Sequence, residues 1–494
     1  MKERAGGKLG HVLAIVVAAA LGGFLFGFDT AVINGAVPVL QKMFMAAGEP
    51  GRIPFNLGLP ATRAAADFWI GLSVAMALAG AAFGAFFAGP IADAIGRKKS
   101  MVIAAALLFV SALGSGVPFT IWDFTLWRII GGLGFGAASV LAPAYIAEVS
   151  PADKRGRLGS LQQLAIVTGI FIALTSNYAL ARAAGGAGQP WWFGPAAWQW
   201  MFWMEAIPAL VWGVLALRIP ESPRYLVAQN RDGEALVVLG KILGAEQAPG
   251  KVEEIHQSLR RGHKPRMSDL LAKSGGLLPI VWLGIGLSVF QQLVGINVVF
   301  YYSNLLWQLV GFGEERALLL TVIGGATNVA TTFIAIALVD RVGRKALLIA
   351  GSAGMFVSLS VMAYVLGSAP MSAEGLPRLG ESAGLVALVS LNVFVFSFGF
   401  SWGPVVWVML GEMFSNQIRG AALAVAAAAQ WITNFLVSLT FPTMASVFGL
   451  GASYGFYAFA ALLSLFFVVA WIPETKGKEL EQMGEFETGR PPPD

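Results

Sequence analysis

The chain has 494 residues, of which 56% are hydrophobic and only 12% are charged, whereas soluble domains carry roughly 25% charged residues. These proportions exclude a soluble globular protein and indicate an integral membrane protein. The sequence contains no cysteine and carries a formal net charge of +5, so disulfide bonds, haem attachment through cysteine and thiolate metal sites are excluded.

Twelve apolar stretches follow one another along the chain. Because a hydrocarbon core about 30 Å thick needs roughly 20 apolar residues for each helical crossing, we predict an all-α integral membrane protein with twelve transmembrane helices. Their approximate bounds are 12–40, 67–92, 101–117, 121–149, 158–180, 200–219, 277–310, 317–339, 346–366, 383–410, 421–445 and 453–472. Glycine lets helix backbones approach closely in a membrane, so Gly80, Gly84 and the run 131–136 are predicted to be helix contacts.

Basic residues collect at the termini and in the even-numbered loops. They include Lys2, Arg4, Lys8, Arg97, Lys98, Lys99, Lys154, Arg155, Arg157, Arg341, Arg344, Lys345, Arg419, Lys476 and Lys478. Because cytoplasmic loops of membrane proteins carry an excess of Lys and Arg, both termini are predicted to be cytoplasmic, in a cell membrane that we expect to be the bacterial inner membrane. The same bias explains the basic clusters as topology signals, so we expect no nucleic-acid partner.

The second half of the chain repeats the first. The stretch 89–99 returns at 337–345, the stretch 147–156 returns at 411–420, and the Pro-Glu-Ser at Pro220 returns as the Pro-Glu-Thr at Pro473. A duplication in the same direction predicts two pseudo-symmetric six-helix bundles that rock about a central site. The predicted domains are an N-terminal bundle (1–220), a cytoplasmic helical linker (221–275), a C-terminal bundle (276–474) and a cytoplasmic tail (475–494).

Eight short motifs lie on or beside these spans. They are GFDTAVING at 27–35, DAIGRK at 93–98, RIIGG at 128–132, PESPRYL at 220–226, QQLVGIN at 291–297 followed by Tyr301 and Tyr302, DRVGRK at 340–345, SWGPVVW at 401–407 and PETKGK at 473–478. In these motifs the sequence resembles the sugar porter family of the major facilitator superfamily over nearly its whole length. The resemblance implies the major facilitator fold and monosaccharide transport by alternating access, and it is strongest to bacterial proton-linked xylose and hexose carriers.

The leading charged candidates inside the predicted spans are Asp29 on the first and Arg128 on the fourth. An ionisable side chain within a span costs roughly 2.5 to 3.5 kcal/mol on insertion scales and is therefore a functional candidate. If Asp29 faces Arg128, it can take up and release a proton as solvent access changes, as a proton symporter requires. The alternative is a permanent ion pair that only joins two helices, and the resemblance leaves both open because some passive facilitators of the family keep an aspartate here.

Neutral amides inside the spans are candidates for sugar binding. Sugar hydroxyls both donate and accept hydrogen bonds, and an amide carries both functions without the cost of desolvating a charge. The amides are Gln163, Gln291, Gln292, Asn297, Asn328 and Gln430. These amides align with sugar-contacting positions of the family, as do Phe26, Phe398, Trp407 and Trp431. Hydrogen bonding between helices is the alternative for any single amide, at roughly 0.6 kcal/mol on average.

Further side chains complete the predicted binding region. Tyr301 and Tyr302 follow the amide run by one turn, and we expect them to close over the sugar, with packing as the alternative for Tyr302. Asn434, one turn past Gln430, is expected at the edge of the site, and the Gly-Pro at 403–404 is expected to act as a hinge. Ile170 stands where xylose symporters of the family carry a glutamine, which favours glucose or a similar hexose over xylose.

Charged residues of the repeated motifs form a second group, at the predicted cytoplasmic surface. They are Asp93, Arg97, Glu148 and Arg157 in the first half and Asp340, Arg344, Glu412 and Arg419 in the second. We predict that they pair across the two bundles as a latch that stabilises the outward-open state and breaks as the inside opens. The alternative is a set of solvated loops in which each exposed pair is worth roughly 0 to 1 kcal/mol.

Together with these patterns, the family resemblance implies sugar:proton symport of glucose, a similar hexose or xylose, by a chain that we expect to function as a monomer in the lipid bilayer. A passive sugar facilitator is the main alternative, and a sugar sensor is a remote one. We expect neither enzymatic activity nor a cofactor or metal, because His11, His256 and His263 lack metal-ligand spacing and a companion nucleophile.

Overall fold

The computed structural model describes residues 2–46, 63–118, 120–150, 155–261, 267–272, 275–370, 378–414 and 418–476. The predicted tail beyond residue 476 and the side chain of Arg157 lie outside this part of the chain. The described residues form the α-helices α1 (Lys2–Ala46), α2 (Arg63–Ile95), α3 (Arg97–Ser115), α4 (Ile121–Val149), α5 (Arg155–Ala184), α6 (Ala197–Arg218), α7 (Pro223–Ala228), α8 (Asp232–Ile242), α9 (Ala248–Arg261), α10 (Pro279–Leu293), α11 (Ile296–Leu309), α12 (Glu314–Val342), α13 (Arg344–Gly367), α14 (Glu381–Gly399), α15 (Trp402–Met413), α16 (Arg419–Val447) and α17 (Gly449–Trp471).

Among these residues, twelve helical segments are long and apolar enough to cross a membrane. Ten are single helices, and the other two are the pairs α10–α11 and α14–α15, each of which forms one interrupted crossing. The structure confirms the predicted all-α membrane fold, with six crossings in each half of the chain.

The seventh crossing is interrupted at Gly295, between α10 and α11. Gly295 has φ 85° and ψ 19°, the left-handed region that glycine adopts without the cost a side chain brings. A Cβ at this position would also overlap the ring of Tyr457 on α17. The interruption therefore requires glycine on both conformational and steric grounds.

The tenth crossing is interrupted at Ser401, three residues before Pro404. Ser401 precedes α15, and Pro404 lies in the first turn of that helix. The predicted hinge at the Gly-Pro pair therefore lies a few residues too late. The physical reason is that proline is tolerated in the first helical turn, where backbone N–H groups have no intrahelical partner.

Glycine makes the closest contacts between helices, as the sequence predicts. A Cβ at Gly80 or Gly84 of α2 would overlap backbone carbonyls of α4, and a Cβ at Gly132 or Gly136 of α4 would overlap backbone of α2. The glycine-rich run on α4 is therefore a packing surface for α2.

The linker helices α7, α8 and α9 identify one end of the molecule. The hydroxyl of Tyr225 on α7 donates to the carbonyl of Ala94, at the end of α2, and the hydroxyl of Tyr145 donates to the carbonyl of Pro220. We call this the linker end and the opposite end, where α5 meets α6 and α11 meets α12, the far end. Hydrogen bonds and ion pairs between the two six-helix halves, at Asn34, Asn304, Ala187 and Arg182, lie nearer to the far end than Asp29 does.

Candidate transport site

Four of the predicted amides form one connected hydrogen-bond cluster. Gln291 donates through Nε2 to the carbonyl oxygens of Trp402, at 2.9 Å, and Gly403, at 3.2 Å. Gln430 on α16 donates to Oε1 of Gln291 at 2.5 Å. The cluster therefore joins α10, α15 and α16 beside both helix interruptions.

The other two amides extend this cluster across the interruption at Gly295. Gln292 donates to Oε1 of Gln291 at 3.3 Å, and Asn297 on α11 donates to Oε1 of Gln292. Oε1 of Gln430 is buried and has no hydrogen-bond partner. An unsatisfied buried acceptor is costly, so this oxygen is the natural place for a hydroxyl donor.

Aromatic rings from both halves meet near this cluster. Phe26 of α1 stacks on Phe135 of α4 with ring centroids 5.4 Å apart, and Trp431 of α16 lies 5.7 Å from Phe26. The sequence predicted Phe26 and Trp431 but not Phe135, which lies inside the glycine-rich run that the sequence assigned to packing. Such rings can pack against the apolar C–H face of a sugar.

The two consecutive tyrosines of α11 have different surroundings. Tyr301 shares a side-chain hydrogen bond with Asn434 and interacts electrostatically with Asp29 and Arg128. Tyr302 is fully buried, and its hydroxyl donates to the carbonyl of Ser438 at 2.8 Å. Tyr301 and Asn434 thus come together between the amides and the buried charges, whereas Tyr302 has a packing role.

The remaining predicted contacts are not joined to the cluster by any described hydrogen bond. Gln163 and Ile170 are half-buried on α5. Trp407 is 44% exposed, and Phe398 is buried. Asn328 is buried against Gly399, where a Cβ would lie 3.2 Å from its Oδ1. For these five side chains, sugar contact stays a prediction.

Asp29 and Arg128 form the predicted buried ion pair. Nη1 of Arg128 lies 2.5 Å from Oδ1 of Asp29, and both side chains are almost inaccessible, at 2% and 1% exposure. Arg128 also lies over the ring of Phe202, 5.9 Å from its centroid.

A third charged side chain, Glu205 of α6, completes this cluster. Its carboxyl group is 1% exposed and interacts electrostatically with Asp29 and Arg128. The sequence prediction did not include Glu205. Its signal was nevertheless the same as that of Asp29, an acidic residue inside an apolar span.

The charged residues at the linker end pair within each half. Arg97 binds Asp93 at 2.8 Å and Glu148 at 3.2 Å. In the second half, Arg344 binds Asp340 at 2.9 Å and Glu412 at 2.8 Å. The predicted latch across the two bundles belongs to the outward-open state and therefore stays a prediction.

The last two residues of the predicted latch are Arg419 and Arg157. The guanidinium of Arg419 donates to the carbonyl of Phe414 in its own half, and the side chain of Arg157 is not among those described. The described hydrogen bonds between the halves, at Asn34, Asn304 and Ala187, lie towards the far end, and Arg97 and Arg344 find their partners within their own bundles.

The repeated Pro-Glu-Ser and Pro-Glu-Thr motifs supply a matching contact in each half. Glu221 accepts hydrogen bonds from the backbone N–H of Arg97 and Lys98 at the start of α3. Glu474 accepts from the backbone N–H of Arg344 and Lys345 at the start of α13. A carboxylate at a helix N-terminus satisfies free N–H groups and complements the helix dipole.

The hydroxyl beside each of these glutamates extends the repeat. Ser222 donates to Glu148 at 2.5 Å, and Thr475 donates to Glu412 at 2.6 Å. Partial burial alone raises the pKa of Glu474, but backbone N–H donors from Lys476, Arg344, Lys345 and Thr475 outweigh it, so this pKa lies below its usual value. The sequence showed this repeat but gave it no role.

The fold and this site define a membrane transporter, and comparison with known proteins agrees. Residues 15–486 match the family described as "Sugar (and other) transporter". The chain therefore belongs to the sugar porter family of the major facilitator superfamily.

Two curated relatives and one solved structure illustrate the similarity. The chain is 58% identical over 473 residues to a glucose transport protein of Synechocystis, covering 96% of this chain and 97% of that one. It is 39% identical over 497 residues to the D-xylose-proton symporter of Escherichia coli strain K12, covering 96% and 95%. A partially occluded inward-open structure of the xylose transporter XylE from E. coli superimposes with a TM-score of 0.79 at 36% identity, covering 94% and 99%.

Proposed function

We propose that this protein is a secondary transporter that moves a monosaccharide by alternating access, coupled to a proton. The observation that carries the proposal is a buried cluster of two carboxyl groups and one guanidinium, Asp29, Glu205 and Arg128, beside a connected set of neutral amides. The amides provide the sugar site, and the charged cluster provides the proton site.

Sugar recognition rests on the amide cluster and the aromatic rings. Gln291, Gln292, Asn297 and Gln430 present donors and acceptors without a net charge, which suits a ring of hydroxyls. The apolar Ile170 favours glucose or a similar hexose, and the relative with 58% identity is named for glucose. Xylose is the second candidate because the E. coli relative is named for it.

Proton coupling follows from the balance of charge in the cluster. Two buried carboxyl groups, Asp29 and Glu205, face a single guanidinium, so the cluster balances its charge only when one of the two carboxyl groups holds a proton. With Arg128 charged, the cluster is then neutral, and loss of that proton leaves a net negative charge at a buried site, which is costly. The cluster can therefore carry one proton for each transport cycle. In a passive facilitator, Asp29 and Arg128 would stay a permanent pair.

The orientation is also part of the proposal. The basic residues of the termini and even-numbered loops lie at the linker end, which we assign to the cytoplasm. This multi-pass membrane protein would then have both termini and the linker 221–275 inside the cell, and its far end outside. Because the described hydrogen bonds between the halves at Asn34, Asn304 and Ala187 lie towards the far end, we assign the structure to an inward-facing state. The functional unit that we propose is a single chain.

Counterflow in liposomes tests transport. Purified protein is reconstituted, and labelled glucose, xylose, galactose and fructose are followed with and without a pH gradient. We expect saturable counterflow of glucose, and accumulation only when the far side is acidic, since a proton moving down 100 mV releases about 2.3 kcal/mol. Absence of counterflow for all four sugars would contradict monosaccharide transport.

Asp29→Asn separates proton coupling from passive transport. The variant keeps a hydrogen-bonding side chain but cannot exchange a proton, so we expect counterflow to persist while accumulation driven by the pH gradient is lost. Two outcomes would argue for another coupling mechanism. One is sugar accumulation by the wild type without any change in external pH, and the other is uphill uptake that survives Asp29→Asn.

A further inference from the structure

A carboxylate of one half binds a buried backbone N–H of the other half at the far end. Oε1 of Glu314, in the first turn of α12, accepts a hydrogen bond of 2.9 Å from the backbone N–H of Ala187. Ala187 lies in the loop between α5 and α6 and is 0% exposed. A buried N–H group without a partner is costly, so Glu314 supplies the acceptor that the buried N–H of Ala187 in the opposite half requires.

The loop that donates this hydrogen bond is held firmly within the N-terminal half. Gly186, at φ 148°, donates from its N–H to the carbonyl of Ala181, and the carbonyl of Ala187 accepts from the N–H of Trp198. Gly186 also leaves room for the carboxylate, since a Cβ there would lie 3.2 Å from Oε2 of Glu314. The loop is thus shaped to receive a side chain that belongs to the other half.

A second charged contact lies beside the first but differs in exposure. Arg182 and Glu315 approach to 3.4 Å, and their side chains are 65% and 63% exposed. A pair so well solvated contributes little. Glu315 therefore offers a control one residue away from Glu314, on the same helical turn and with the same chemistry.

We propose that Glu314 is a positioning residue that holds the far end closed and so sets the ratio of far-closed to far-open molecules. When the halves separate at this end, the carboxylate must leave the N–H of Ala187, so the contact exists in only one of the two states. This inference rests on the proposed alternating access.

Distance measurements between spin labels test it directly. The chain has no cysteine, so Val117→Cys and Ser382→Cys, both at exposed far-end positions of opposite halves, give one unique pair of labels. Label distances will fall into a longer, far-open population and a shorter, far-closed population. In Glu314→Ala we expect the ratio of the longer-distance population to the shorter-distance population to rise about tenfold, because a charge-assisted hydrogen bond is lost. Glu314→Gln should give an intermediate ratio, since its amide oxygen still accepts, and Glu315→Gln should match the parent.

An unchanged distance distribution in Glu314→Ala, or an equal shift in Glu315→Gln, would overturn the proposal. Transport gives a second readout that misfolding cannot imitate. In right-side-out and inverted vesicles, Glu314→Ala should lower the KM for sugar entering from the far side and raise it from the linker side, because more molecules face outwards. The label distances need no transport, so they test the contact even if no sugar is carried.

Discussion

Arg128 is enclosed by more negative charge than one ion pair requires. Asp29 alone would neutralise it, and a neutral buried pair has no reason to bind or release a proton. The buried carboxyl of Glu205, which interacts electrostatically with Asp29 and Arg128, changes this balance because two carboxylates cannot share one cation without excess charge. Two carboxyl groups that hold one proton between them are a known arrangement for proton transfer.

Replacing Glu205 should therefore remove coupling while leaving the ion pair intact. In Glu205→Gln, Asp29 and Arg128 stay paired and no proton is needed, so we expect counterflow to continue but the accumulation ratio under a pH gradient to fall to about one. Glu205→Asp, which keeps a carboxyl group, is the control. Uphill accumulation by Glu205→Gln would show that the proton binds elsewhere.

Single residues were predicted well where their chemistry alone is distinctive. The amides Gln291, Gln292, Asn297 and Gln430 are polar groups within apolar spans, and they lie together. Phe135 could not be found this way, because an aromatic ring in an apolar helix has no such contrast, and only the packing of α4 against α1 brings it to Phe26.

At the level of whole helices, α3 and α13 begin in the same way. Each follows a glycine with φ close to +100°, Gly96 or Gly343, and each has a glutamate carboxylate over its first N–H groups. The glycines cannot take a side chain without overlapping these carboxylates. Each half therefore contains the same helix cap. The cap consists of a glycine before the helix and a glutamate that follows a helix distant in sequence.

This cap gives a pH dependence of stability with a definite sign. Because hydrogen bonds make the pKa of Glu474 lower in the folded protein than in the unfolded chain, its carboxylate stabilises the fold above the unfolded value of about 4.3. That stabilisation is lost as the pH falls through the folded-state pKa. Glu474→Gln should lower stability at pH 7 by about 1 kcal/mol, with a smaller effect near pH 4.

Thermal unfolding in detergent at pH 7 and pH 4 measures this difference. The control is Glu253→Gln, since Glu253 is exposed on linker helix α9. We expect a lower Tm for Glu474→Gln at pH 7 and a smaller difference from the wild type at pH 4. If Glu474→Gln lowers the Tm as much at pH 4 as at pH 7, the negative charge of the Glu474 carboxylate is not what stabilises this cap.

Helix existence was easier to predict than helix interruption. Apolar length alone fixed the twelve crossings, because a membrane helix must satisfy its own backbone. The interruption before α15 depends on the conformation of Ser401, φ −129° and ψ −92°, which the composition of the segment does not reveal. The nearby Pro404 marks the region but not the residue.

Hydrogen bonds between α1 and α11 join the two halves of the molecule near the far end. Nδ2 of Asn34 donates to the carbonyl of Phe300 at 2.9 Å and to Oγ of Ser303 at 3.0 Å, and Asn304 donates to the carbonyl of Asn34 at 3.3 Å. Duplication in the sequence predicted two bundles correctly. It could not predict which end is closed, since contacts within each half do not depend on that choice.

Contact between α2 and α16 at the far end depends on the absence of a side chain at Gly71. A Cβ there would overlap the backbone carbonyl of Leu439 in the other half, and a backbone carbonyl within a helix cannot move aside at low cost. In Gly71→Leu we therefore expect the far end to stay open. Sugar would still bind from the far side, while counterflow should fall at least about tenfold, as expected for severe overpacking.

Gly89→Leu is the matched control for this variant. Gly89 lies on the same helix, but a Cβ at this position would meet no atom within 4 Å, so counterflow and label distances should resemble those of the wild type. Binding of labelled sugar to the detergent-solubilised variants and the distance between labels at positions 117 and 382 complete the test. If Gly71→Leu transports sugar as fast as Gly89→Leu does, close contact between α2 and α16 is not needed for the transport cycle. The two halves would then have to close the far end through a different contact.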